Sequence, residues 1–125
     1  GQFGLELGLA FQIVDDLLDL EGDERMGKPR GTDVIEGKMT LPLIHTLTLS
    51  HGEDRRRLAE IISHFHDGLW DELTTLLNRS GSMGYARTLV NNHLARAIDA
   101  LFQFPESESR NALEWLTRLV MERNE

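Results

Sequence analysis

Between Phe3 and Leu20 the chain is apolar at most positions, yet it sets three aspartates, Asp15, Asp16 and Asp19, near the end of that run. The pattern predicts a helix over residues 3–20. At 100° per residue, Asp15 and Asp19 stand about 40° apart around its axis, and Gly8, Phe11 and Gln12 fall on the same face. Like charges four residues apart cost a helix roughly 0.2–0.5 kcal/mol in water, and more where the face is partly buried. A face that carries this cost usually has a cation to receive. Hard oxygen ligands with coordination positions to spare suit Mg²⁺, which so bound usually also holds substrate phosphates. The tract is no membrane span, because Leu5 to Leu20 contains Glu6 and Gln12 besides the three aspartates.

Nearly every later segment also reads as helix. Gly22, Gly27, Pro29, Gly31 and Gly37 interrupt the pattern, so residues 21–37 are expected to form a polar loop. Loops longer than about 12–15 residues are uncommon in compact domains and are often functional. Thr40 is expected to cap a helix over 41–49, with Pro42 in its first turn. That helix is apolar on most sides and is expected to be buried. Further helices are expected over 54–65, with Leu58, Ile61, Ile62 and Phe65 inward, and over 69–78, ending at Gly81. A longer one over 83–102 carries Ala86, Leu89, Val90, His93, Leu94, Ala97, Ile98 and Leu101 as a wide apolar stripe. Pro105 stops it, and Ser107 or Ser109 caps a last helix with Ala112, Leu113, Leu116, Leu119 and Val120 toward the core. No strand-like alternation competes. The expected fold is all-α, an antiparallel helical bundle forming one domain over residues 1–125.

The totals narrow the function classes. In 125 residues there are 13 Lys and Arg against 21 Asp and Glu, a net charge of −8. That balance argues against nucleic acid as the main partner, since phosphate backbones need clustered cations. There is no Cys, so disulfides and thiolate metal sites are excluded. The histidines His45, His51, His64, His66 and His93 lack metal-ligand spacing and read as structural or exposed. Trp70 and Trp115 read as core or interface anchors. Arg55, Arg56 and Arg57, beside Glu53, Asp54 and Glu60, read as a solvated face with local ion pairs.

Lys28, Arg30 and Lys38 are the cations nearest in sequence to the three aspartates, and they lie in or at the end of the long loop. Together they can bracket one anionic group, with metal ions on the carboxylate side and Lys or Arg on the other. Diphosphate suits this, because its charge exceeds what either set neutralises alone. The same arrangement stabilises a diphosphate leaving group as its bond to carbon breaks.

The residues Gly4-x-x-x-Gly8-x-Ala10-Phe11-Gln12-Ile13-x-Asp15-Asp16-x-Leu18-Asp19 are followed by Gly22-Asp23, Gly27-Lys28-Pro29, Gly31-x-Asp33 and Glu36-Gly37-Lys38-x-Thr40-Leu41-Pro42-Leu43. This order closely resembles the trans-polyprenyl diphosphate synthases, more narrowly their long-chain, octaprenyl-forming bacterial type. The likeness is dense from Gly4 to about Leu47 and looser beyond. It implies an all-α isoprenoid-synthase fold and a prenyltransferase that joins isopentenyl diphosphate to an allylic prenyl diphosphate with Mg²⁺. The stretch matches the second of the family's two aspartate-rich motifs. Asp15 is then the principal Mg²⁺ ligand, Asp19 supports it directly or through water, and Asp16 lies in the adjoining shell. Gln12 contacts the substrate near its reacting end, Phe11 walls the site, and Lys28, Lys38 and Arg30 face the diphosphate. Asp33 braces the loop. The likeness also implies a cytoplasmic enzyme, a homodimer in its full-length form.

No first aspartate-rich motif and no basic cluster for isopentenyl diphosphate occur in these residues. The chain therefore resembles the C-terminal part of such an enzyme and is expected to be inactive alone. Two rival readings stand beside it. One is a terpene cyclase or squalene-type synthase, which Gly27-Lys28 and Glu36-Gly37-Lys38 argue against. The other is a non-catalytic helical subunit with a relict diphosphate site.

Overall fold

The first helix, α1, runs over Gln2–Glu21. Its buried stripe, Ala10, Val14 and Leu17, follows the i, i+4, i+7 spacing of one helical face. A computed structural model describes residues 1–21 and 31–124. After α1 come α2 (Thr32–Ile35), α3 (Leu41–Leu49), α4 (Gly52–Ser63), a 3₁₀ turn at Asp67–Leu69, α5 (Trp70–Arg79), α6 (Ser82–Leu101) and α7 (Glu108–Arg123). No strand occurs among the described residues. None of the described helices is long and apolar enough to cross a membrane. The all-α expectation holds. Two compact bodies divide the chain: residues 16–86, and residues 1–15 together with 87–125.

In the 16–86 body, α3, α4 and α5 pack on one another. Their apolar stripes meet with Leu20 and Val34 in a core of Leu43, Leu58, Ile61, Leu73, Leu76 and Leu77. Each such side chain contributes roughly 1.5–3 kcal/mol on leaving water. Arg57 grips Glu72 across α4 and α5 with two hydrogen bonds of 2.6 and 2.7 Å. Arg56 and Glu53 form the local pair expected of the arginine run, at 2.8 Å. At the start of α6 the buried Ser82 hydroxyl lies 2.5 Å from Thr46 Oγ1 and 2.7 Å from His45 Nδ1. The His45 ring also stacks on Tyr85 at 4.0 Å.

Two expectations about helix and core fail in this body. The second half of the predicted loop is a helical turn, α2. Gly31 enters it at φ +76°, and Val34 is buried in the core. A Cβ at Gly31 would stand 3.1 Å from the Trp70 ring and 3.2 Å from the Phe65 ring, so both the backbone and the space require glycine. The second failure is α3, which is buried on one side only. Pro42, Leu43 and Thr46 are inside, while Ile44 and Leu49 are exposed.

In the other body, α6 buries Val90, Leu94, Ala97 and Leu101 of the predicted stripe, and Ala100 beside it. Glu6 of α1 accepts from His93 Nδ1 at 2.6 Å and from Arg96 Nε at 3.2 Å. The Arg96 Nη2 lies 2.9 Å from the same His93 ring nitrogen, so the three side chains form one cluster. The Ser107 hydroxyl caps α7, accepting from the Arg110 N–H at 3.1 Å. The inward face of α7 differs from expectation. Thr117 and Val120 are buried, whereas Ala112, Leu113 and Leu116 are exposed. Thr117 tolerates burial because its hydroxyl donates back to the Leu113 carbonyl at 2.8 Å. Of the two readings given for the tryptophans, core holds for Trp70, whereas Trp115 is 65% exposed and no core residue.

Candidate functional site

The three aspartates of α1 have different surroundings. Asp15 is partly exposed, Asp16 is buried, and Asp19 has no exposed surface. Both Asp19 oxygens lie 3.2 Å from the Asp33 N–H, which donates to the carboxylate. The Asp19 backbone carbonyl accepts from the Gly31 N–H at 2.8 Å. The chain that leaves α1 therefore returns to Asp19 at two points, and α2 starts there.

Asp16 meets the other end of the same segment. Lys38 Nζ donates to it at 3.4 Å, and the Leu41 N–H at the start of α3 donates to the same carboxylate. Burial pushes the Asp16 carboxyl above its ordinary range. Lys38 and the Leu41 N–H pull it back, and the nearby Asp33 charge pushes it up again. Asp33 Oδ2 stands 3.7 Å from Lys38 Nζ, and the Lys38 N–H donates to the Asp33 carbonyl at 2.8 Å. The Lys38 side chain is still 45% exposed. Thr40 was expected to cap α3. Its side chain makes no capping bond there, and its buried hydroxyl meets no partner among the described residues. The Asp16 carboxylate occupies the N-terminus of α3 instead, where negative charge is favoured.

The structure thus brings together Asp16, Asp19, Asp33 and Lys38 of the predicted set. Gln12 is exposed, and Phe11 is 54% exposed, which removes it from the core. Lys28 and Arg30 lie outside the described residues. Among the described residues, no group of three His, Asp or Glu side chains is arranged to hold a metal ion. Two contributors escaped the sequence reading, the backbone N–H groups of Asp33 and Leu41. Every non-proline residue carries that donor, so residue type cannot flag it. A groove of 910 Å³ lies in the other body, lined by Phe3, Gly4, Leu101, Phe104, Pro105 and Leu113 among others; none of the predicted site residues borders it.

Comparison with known proteins adds identity to this geometry. Residues 1–76, which include the acidic turn and the segment closing on it, match the Polyprenyl synthetase family model. The chain belongs to this family. A short chain isoprenyl diphosphate synthase of Methanothermobacter thermautotrophicus is 38% identical over 97% of the chain and 38% of its own length. An all-trans-nonaprenyl-diphosphate synthase of Rhodobacter capsulatus is 37% identical over 98% of the chain, again 38% of its length. These two polyprenyl synthetase relatives are about equally similar, so overall likeness does not select the long-chain type. Among solved structures, geranylgeranyl pyrophosphate synthetase of Pyrococcus horikoshii superposes with a TM-score of 0.88 at 34% identity, over 97% of the chain and 37% of its own. Polyprenyl synthase of Caulobacter crescentus, complexed with calcium and isoprenyl diphosphate, superposes with a TM-score of 0.85 at 33% identity, over 99% of the chain and 39% of its own. The chain thus spans about two fifths of the length of each of these four proteins.

Proposed function

We propose that the chain is the C-terminal, second-motif part of a trans-polyprenyl diphosphate synthase, which condenses isopentenyl diphosphate with an allylic prenyl diphosphate. The complete enzyme is taken as a cytoplasmic homodimer. The observation that carries this reading is Lys38, half-exposed and held between the Asp16 and Asp33 carboxylates beside the acidic turn, within the residues that match the family model. Two carboxylates fix the ammonium where a phosphate oxygen can reach it. A partly exposed Asp15 one residue before Asp16 offers a hard oxygen ligand. Mg²⁺ characteristically takes one or two carboxylates and completes its shell with phosphate and water, so this donor set fits it. When bound, Mg²⁺ neutralises charge on the departing diphosphate. Asp15 would hold the ion, Lys38 and Lys28 would grip diphosphate oxygens, and Arg30, Gln12 and Phe11 would face the substrate.

The test is calorimetric titration of the chain with an unreactive allylic thiodiphosphate, with Mg²⁺ and with EDTA. Binding is expected only with Mg²⁺, weakened about tenfold or more by Lys38→Ala, or roughly 1.4 kcal/mol. Equal binding in EDTA, or none under either condition, sinks the reading.

A further inference from the structure

We propose that Asp19 and Asp16 of the acidic turn are positioning residues, which fasten the segment from Gly31 to Leu41 and so hold Lys38 in place beside the cation contact assigned to Asp15 above. The inference rests on the diphosphate reading and assigns roles within that site. Asp19 carries the argument. A cation needs open space in front of an oxygen, and Asp19 has none exposed. Both its oxygens face the Asp33 N–H at 3.2 Å, and its own carbonyl takes the Gly31 N–H. Gly31, at the head of α2, has no side chain with which to cap that turn. The Asp19 carboxylate, arriving from α1, satisfies the donor in its stead.

Asp16 does the same at the far end of the segment. It is 6% exposed and accepts from Lys38 Nζ at 3.4 Å and from the Leu41 N–H. Between the two anchors, the Lys38 N–H donates to the Asp33 carbonyl. The position of Lys38 thus passes through Asp33 to Asp19 and directly to Asp16. With none of its surface exposed, Asp19 could meet a cation only if the residues packed over it shifted.

Conservative substitution separates ligand from brace. Asparagine keeps an oxygen for the Asp33 N–H and loses the charge that a metal ligand needs. In Mg²⁺ titrations with the allylic thiodiphosphate, Asp15→Asn is expected to raise the Mg²⁺ midpoint about tenfold or more. Asp19→Asn is expected to raise it by about twofold at most, and Asp19→Ala to reduce affinity for the analogue even at saturating Mg²⁺. Amide hydrogen exchange reads the brace directly. The Asp33 amide is expected to stay protected in the parent chain and in Asp19→Asn, and to exchange freely in Asp19→Ala. Adding Mg²⁺ with inorganic diphosphate should leave that protection intact. Loss of Asp33 protection on adding metal, or a midpoint shift in Asp19→Asn equal to that in Asp15→Asn, overturns the proposal. A chain that binds no analogue fails the functional reading instead; exchange at Asp33 in the two Asp19 variants then decides the brace alone.

Discussion

At the scale of single residues, two positions concentrate the physics. Gly31 combines a left-handed backbone with two aromatic rings at 3.1 and 3.2 Å from any added methyl. Gly31→Ala is expected to destabilise the fold by about 1–3 kcal/mol, from the left-handed penalty and the displaced rings. A denaturation midpoint equal to the parent's would contradict that account. Glu6 is the second. The hydrogen bond from His93, and behind it Arg96, holds its carboxyl below the ordinary value of 4.5 despite some burial. The unfolded chain therefore binds more protons than the folded one at and below that value. The stabilisation is present above pH 4.5 and is lost as pH falls through the lowered value. Urea unfolding between pH 6 and pH 3 should show a shallower acid loss in Glu6→Gln than in the parent. Parallel curves would remove Glu6 from the acid response.

At the scale of elements, burial ranks the helices. Leu73 of α5 has no exposed surface and sits in the central cluster, whereas Trp115 of α7 is 65% exposed. Leu73→Ala is expected to cost about 2–5 kcal/mol, and Trp115→Ala under about 0.5 kcal/mol. Thermal unfolding of both variants checks the ranking, and a costlier Trp115→Ala would reverse it. The same contrast marks what periodicity can reveal. The long stripe of α6 was legible because apolar residues repeat at helical spacing over five turns. The inward face of α7 was not, because Thr117 hides its hydroxyl on its own helix and so takes a place that hydropathy assigns to leucine. The short α2 escaped notice since four residues carry no period. In the candidate site, the order of aspartates and Lys38 was readable along the chain. The Asp33 N–H on Asp19 and the Leu41 N–H on Asp16 were not, because they are main-chain amides fixed by tertiary return, 14 residues away for Asp33. The pairing of Glu6 with His93 spans 87 residues and leaves no local trace.

At the scale of the whole molecule, the body formed by residues 1–15 and 87–125 exposes Leu5, Phe11, Phe102, Phe104 and Trp115 at 50% or more each. Apolar surface of this kind marks interaction sites or aggregation. The 125-residue chain is expected to self-associate at micromolar concentration, and a cleanly monomeric boundary in sedimentation velocity would contradict this. It is also expected to make no prenyl product from isopentenyl and allylic diphosphates, since these residues hold one aspartate-rich motif. Radiolabelled product from the purified chain would overturn that expectation.

Because the N–H groups of Gly31 and Asp33 both come back to Asp19, the end of α1 and the start of α2 hang from a single knot. A side-chain replacement at Asp19 would slacken the entry to α2 while sparing the leucine core of α3, α4 and α5, which makes this knot a natural handle for engineering a folded but inert copy.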